Sequence, residues 1–143
     1  MEIVLGPVPL TPAEVVAVAR GGVQVRLSSA AAAAIDASRE QVATLAATAE
    51  GVYGVSTGFG ALATRGIPAS ERARLQRSLI RSHAAGNGPL VEREVVRAMM
   101  LLRIATLAKG YSGVRRATVE AYLALLNSGL VPVVHEYGSL GCS

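Results

Sequence analysis

Apolar and polar positions alternate in two different rhythms at the start of the chain, and then settle into one. Ile3 to Leu5 is a short apolar run that reads as a strand, and Val23-Gln24-Val25-Arg26-Leu27 alternates like a strand with one buried face. Between them, Thr11-Pro12-Ala13-Glu14 has the spacing of a helix start, with Thr11 as N-cap, Pro12 in the first turn and Glu14 reaching back to the cap. Gly21-Gly22 should end that helix, so that the two strands can pair across it. Ser28 or Ser29 opens a second, alanine-rich helix expected to run to about Glu50. Residues 1–50 therefore predict a small α+β start.

From Pro68 onward the rhythm is helical. Pro68-Ala69-Ser70 opens a third helix, in which Leu75, Leu79 and His83 recur every four residues along one drifting face. Gly86-Asn87-Gly88-Pro89 interrupts the chain, and a fourth helix follows with Val91, Val95, Met99 and Leu102 as its expected buried stripe. Gly110-Tyr111-Ser112-Gly113 breaks it again. A fifth helix spans about Val114 to Ser128, ended by Gly129, and Pro132-Val133-Val134 leads into an extended piece. The pattern predicts a mainly α chain: helices over 68–130 joined to the α+β start by residues 51–67.

Those connecting residues follow neither rhythm. Tyr53-Gly54-Val55-Ser56-Thr57-Gly58-Phe59-Gly60 holds two of the five aromatic side chains together with Gly54, Gly58 and Gly60. Glycines weaken regular elements, so three in eight predict a loop with unusual backbone angles or close backbone approach. Such a loop can place the Tyr53 hydroxyl for proton transfer, or it can be a tight connection whose Tyr53 and Phe59 fill a core. Both readings are open at this level. The same holds for His83, followed by the small residues Ala84-Ala85-Gly86: its ring is either satisfied by protein partners or meets a polar ligand. His135 reads as a surface residue or a local pairing.

Composition narrows the class. Half of the residues are hydrophobic (51%) and only 3% aromatic, which favours closely packed helices built from Ala, Val, Leu and Ile. The longest uncharged stretches, 51–64 and 121–134, are too short and too broken by Gly and Pro to span a bilayer. Met1-Glu2-Ile3 lacks the basic opening of a secretion signal, and Cys142 is the sole cysteine, so a cytoplasmic location and no membrane partner are expected. With two His and one Cys spread over distant segments, no metal site is expected. The net charge of +4 and the series Arg72, Arg74, Arg77, Arg81 invite a basic module that binds nucleic acid or a partner. Against nucleic acid, stacking aromatics are missing there, and Leu75, Leu79 and Ile80 interleave at helix spacing beside acidic Glu71.

Five motifs in order resemble one family. Tyr53-Gly54-Val55-Ser56-Thr57-Gly58-Phe59-Gly60, Gln76-Arg77-Ser78-Leu79, Ser82-His83-Ala84-Ala85-Gly86, Gly110-Tyr111-Ser112-Gly113-Val114-Arg115 and Gly138-Ser139-Leu140-Gly141-Cys142-Ser143 resemble the amino-terminal part of the aromatic amino acid ammonia-lyases, the histidine-specific members most closely. The likeness runs from about Val52 to Ser143.

The resemblance implies a helical-bundle lyase, most often a homotetramer with sites shared between subunits, that eliminates ammonia from a small amino acid. It also implies a 4-methylideneimidazole-5-one (MIO) group made autocatalytically from an Ala-Ser-Gly triplet. Cys142 stands where Ala is usual, Ser143 is the serine, and the glycine would be the next residue, so residues 131–143 form an incomplete MIO loop. On this reading the chain is the amino-terminal part of an enzyme, inactive alone and joined in function to the remainder. Carried over by motif, Tyr53 is the base that takes the β-proton and His83 reads the substrate ring. The Ser-His-Ala-Ala-Gly context implies histidine as substrate and urocanate as product; tyrosine or phenylalanine lyases and aminomutases are the alternatives. Ser56 departs from the family's common Asn, which bears on the hydrogen bonding of the loop.

Overall fold

Thr11 closes the first helix as its spacing from Glu14 predicts. Its hydroxyl accepts from the Glu14 amide, while the Glu14 carboxylate accepts from the Thr11 amide at 2.7 Å, starting α1 (Pro12–Gly21). The Thr11 amide and, at 2.8 Å, the Thr11 hydroxyl both donate to this carboxylate and hold it below the usual carboxylate range. In this computed structural model, which describes residues 2–48 and 50–138, α1 is flanked by β1 (Glu2–Leu5) and β2 (Gln24–Leu27). The two strands pair in parallel with Ile3 opposite Val25, so Ile3, Leu5 and Val25 are buried on one face.

The hydroxyl of Ser28 accepts from Ala31 and opens α2 (Ser29–Ala47). This helix stops short of Glu50. Thr48 is the reason: its hydroxyl and its amide both turn back to the Leu45 carbonyl, substituting a local turn for the next helical bond. Then follow α3 (Ala69–His83), β3 (Asn87–Leu90), α4 (Arg93–Leu107), α5 (Arg116–Asn127) and β4 (His135–Tyr137). Strands β3 and β4 form a second two-stranded sheet. The alternation test did not reveal β3, since Asn87-Gly88-Pro89 reads as a turn and all four strand residues are exposed.

The described residues divide into two compact units. One joins Met1–Gln41 to Leu90–Val134, and the other contains Val42–Pro89 with the stretch from His135 onward. Every residue of the apolar core belongs to the first unit, where Val18, Ile35, Met100, Leu101, Ile104, Val119 and Leu126 are fully enclosed. The buried face of α4 differs from the expected one. Val96, Met100, Leu101, Ile104 and Leu107 point inward, whereas Val95, Met99 and Leu102 are about half exposed. Apolar residues line both sides of this helix, so periodicity leaves its rotation open, and packing against α1 and α5 fixes it.

Arg97 is buried among these residues. Its guanidinium donates to the carbonyls of Val18 (2.9 Å), Ala19 (3.2 Å) and Leu126 (3.0 Å), gathering the carboxyl-terminal ends of α1 and α5. A cation suits that place, because the last carbonyls of a helix carry partial negative charge, and the amide contacts that those of Val18 and Leu126 receive from Gly22 and Gly129 are long, at 3.3 Å. Burial, with Arg93 nearby, lowers its pKa from the ordinary guanidinium value. Asn127 joins α5 to β2 in a similar way, its amide side chain exchanging two hydrogen bonds with the backbone of Val25 at 3.0 and 2.7 Å.

Candidate functional site

The glycine-rich segment folds as a loop held by its own hydrogen bonds. The Ser56 hydroxyl accepts from the Val52 amide at 2.9 Å, and that of Thr57 accepts from Gly54 and donates to the Gly58 carbonyl at 3.0 Å. Both side chains are buried. The returning chain pairs with them: Gly58 donates to Arg65, Ile67 donates to Ser56, and Thr57 bridges Gly66. A short 3-10 turn, Gly60–Leu62, forms the tip. Serine at position 56 therefore leaves the loop well bonded, through contacts that the motif alone did not reveal.

Glycine is required at 58 for space. A Cβ there would lie 2.7 Å from the Leu62 Cβ and 2.9 Å from the Leu62 carbonyl oxygen. Gly54 and Gly60 both adopt positive φ (72° and 54°) and complete the turn geometry. The loop thus presents Tyr53 outward, 61% exposed, with its ring edge-on to Phe59 at 6.1 Å. A long 3.5 Å contact from the Gly60 amide reaches its hydroxyl. Of the two sequence readings, core filling does not hold for Tyr53.

His83 lies in the same unit, as the last residue of α3, and is exposed. Its Nδ1 is 2.9 Å from the Leu79 carbonyl and 3.0 Å from the Ser82 hydroxyl, so the ring is anchored on one edge. Among the described residues no hydrogen bond joins Tyr53 to His83. The arginines beside them are partly engaged: Arg72 donates to the carbonyls of Ala46 and Ile67, and Arg74 pairs with Glu71. Those contacts account for two of the four charges that suggested a basic patch.

Just past α3, β3 pairs with β4, the last strand before the Gly138 to Ser143 segment. His135, expected at the surface or in a local pairing, instead bonds to a residue distant in sequence, its Nδ1 2.8 Å from the Gly88 carbonyl. Gly88 has φ +83°, and a Cβ there would collide with the Tyr137 ring. Sequence reading missed this strand pair; the matching glycines at 86 and 88 were its available signal. Cys142 and Ser143 lie outside the described residues. Among the described residues no helix is long and apolar enough to cross a membrane, and no group of three or more His, Cys, Asp or Glu could hold a metal ion.

The backbone fold of this chain recurs in solved enzyme structures. An ergothionase from Treponema denticola superposes with a TM-score of 0.93 at 28% identity, over 98% of this chain and 28% of that one. Histidine ammonia-lyase from Trypanosoma cruzi superposes with a TM-score of 0.87 at 37% identity, over 99% of this chain and 27% of that one. The fold shared with these enzymes is mainly helical.

The sequence profile of the aromatic amino acid lyases matches residues 10–143, and the chain belongs to that family. Among sequence relatives, histidine ammonia-lyase of Streptomyces avermitilis is 57% identical over 141 residues, 99% of this chain. The chain spans 28% of that relative's length.

Proposed function

We propose that this chain is the amino-terminal portion of a histidine ammonia-lyase, which converts L-histidine to trans-urocanate and ammonia. The observation that carries the reading is the 57% identity to a histidine ammonia-lyase along almost the whole chain, with Tyr53 and His83 in the matching motifs.

Tyr53, acting as its phenolate, takes the β-hydrogen of the substrate as a proton and becomes the neutral phenol. The electron pair left on the β-carbon forms the α,β double bond, and the amine leaves the α-carbon as ammonia. The exposed position of Tyr53, on a loop stiffened by the Ser56 and Thr57 hydroxyls, suits a group that must reach a bound molecule. His83 orients the substrate ring. An imidazole can hydrogen-bond another imidazole, whereas an apolar side chain there would leave the substrate nitrogens unsatisfied at a cost of about 1–3 kcal/mol.

An MIO group, once formed, would supply the electrophile that activates the substrate amino acid. Cys142 and Ser143 supply two of the three residues it needs, and their residue types fit: the first gives only its carbonyl to the ring, so a cysteine side chain is tolerated. The third residue falls after Ser143. The remaining polypeptide of the relatives supplies the rest of the site, in a cytoplasmic homotetramer.

Tyr53→Phe in the polypeptide extended past Ser143 tests the assignment. Loss of general-base catalysis lowers kcat by about 100-fold or more. Circular dichroism stays unchanged, because among the described residues the hydroxyl makes only the long contact from Gly60. A Phe variant of native activity refutes the role of Tyr53.

A further inference from the structure

Three polar atoms meet at the end of α3. The Leu79 carbonyl oxygen is 2.8 Å from the Ser82 Oγ and 2.9 Å from the His83 Nδ1, and Oγ and Nδ1 are 3.0 Å apart. A carbonyl oxygen only accepts, so the contact to Nδ1 is a hydrogen bond when Nδ1 carries the proton. The opposite assignment, with the Ser82 hydroxyl donating to a bare Nδ1, sets a ring lone pair against the carbonyl at 2.9 Å and removes the hydroxyl's bond to Leu79. One assignment satisfies all three contacts: Ser82 donates to Leu79, and Nδ1–H donates to Leu79 while facing the Ser82 oxygen. In a neutral ring the other nitrogen, Nε2, then holds the lone pair. Among the described residues nothing bonds to Nε2, and Ala84, Ala85 and Gly86 beyond it add no polar side chain.

We propose that Ser82 and the Leu79 carbonyl are positioning groups that fix His83 in its Nδ1–H tautomer, so that Nε2 meets the substrate ring as a hydrogen-bond acceptor. The proposal rests on the assignment of His83 to the substrate ring and goes on to define the chemistry of that contact. The substrate must bring a hydrogen-bond donor to this edge, which for histidine is a ring N–H. A phenyl ring brings none and leaves Nε2 unsatisfied. A phenol brings an O–H, so this contact separates imidazole from phenyl and does not separate imidazole from phenol.

The tautomer can be read without substrate or turnover. In the polypeptide extended past Ser143, free of substrate and labelled with 15N-histidine, long-range 15N–1H correlation at about pH 8.5, where imidazoles are ordinarily neutral, reports both ring nitrogens. Signals of His83 are identified by their loss in His83→Gln. The expected result is a protonated-type shift for Nδ1 and an unprotonated-type shift for Nε2. Ser82→Ala raises the population of the Nε2–H form, and Ser82→Thr, which keeps the hydroxyl, restores the native shifts.

In the extended enzyme Ser82→Ala raises KM for histidine by about threefold to tenfold, the loss of one neutral hydrogen bond, while kcat stays nearly constant. Ser82→Thr recovers KM. A native His83 protonated at Nε2 overturns the proposal, as does a Ser82→Ala variant with both ring shifts and KM unchanged. Failure of the enzyme to turn over histidine refutes the function itself and leaves the ring shifts as an independent result.

Discussion

At the scale of single residues, Tyr53 and His83 are exposed, whereas Arg97, which ties helix ends together, is hidden. Tyr53 and His83 stood out in the sequence because each sits in an unusual setting, a glycine-dense loop and a helix end followed by small residues. Arg97 did not, since an arginine among alternating helix positions reads as a solvent contact. Only the meeting of two helix ends, far apart in sequence, gives it three carbonyl partners. Arg97→Ala should lower stability by about 3 kcal/mol, because buried carbonyls lose a charged donor and a cavity remains. Arg97→Lys should recover part of that loss, since lysine keeps the charge without the planar fork. Urea titration followed by circular dichroism measures both.

At the scale of elements, starts and stops set by backbone chemistry were readable, and rotations set by packing were not. The Thr11 and Glu14 cap placed α1 correctly, from Pro12 to Gly21. By contrast, the two apolar sides of α4 offered equal stripes, and the inward one was chosen by neighbours that sequence spacing cannot see. Strand β3 was not legible because three of its four residues are asparagine, glycine and proline and none is buried, Leu90 included.

The cap of α1 carries a prediction with a definite pH sign. The folded state holds the Glu14 carboxyl below its ordinary value, so its contribution is complete above about pH 4.5 and is lost as pH falls through the lowered value. Thr11→Ala should cost about 1 kcal/mol at neutral pH. The difference from native should shrink at an acidic pH below that lowered value, where the protonated Glu14 no longer serves the cap well. Urea midpoints at the two pH values decide it.

At the scale of the whole molecule, the two units are built differently. The first contains the full set of buried apolar side chains, whereas α3 in the second buries none of its fifteen residues and leaves Ile80 exposed. Few enclosed contacts mean a low free energy of local opening. Amide hydrogen exchange should therefore show strong protection in α1, α4 and α5 and weak protection in α3. Equal protection in α3 and α4 would contradict this picture. The family likeness was legible in five ordered motifs, but the distribution of stability was not, because it depends on which apolar faces find partners.

The central claim is that this chain supplies the base and the ring-reading histidine of a histidine ammonia-lyase. Its most direct test is product formation by the polypeptide extended to the length of its relatives, offered histidine, tyrosine and phenylalanine separately and followed by ultraviolet absorbance. The account predicts urocanate and ammonia from histidine, abolished by Tyr53→Phe. Coumarate or cinnamate without urocanate, or no turnover of any of the three, would contradict it.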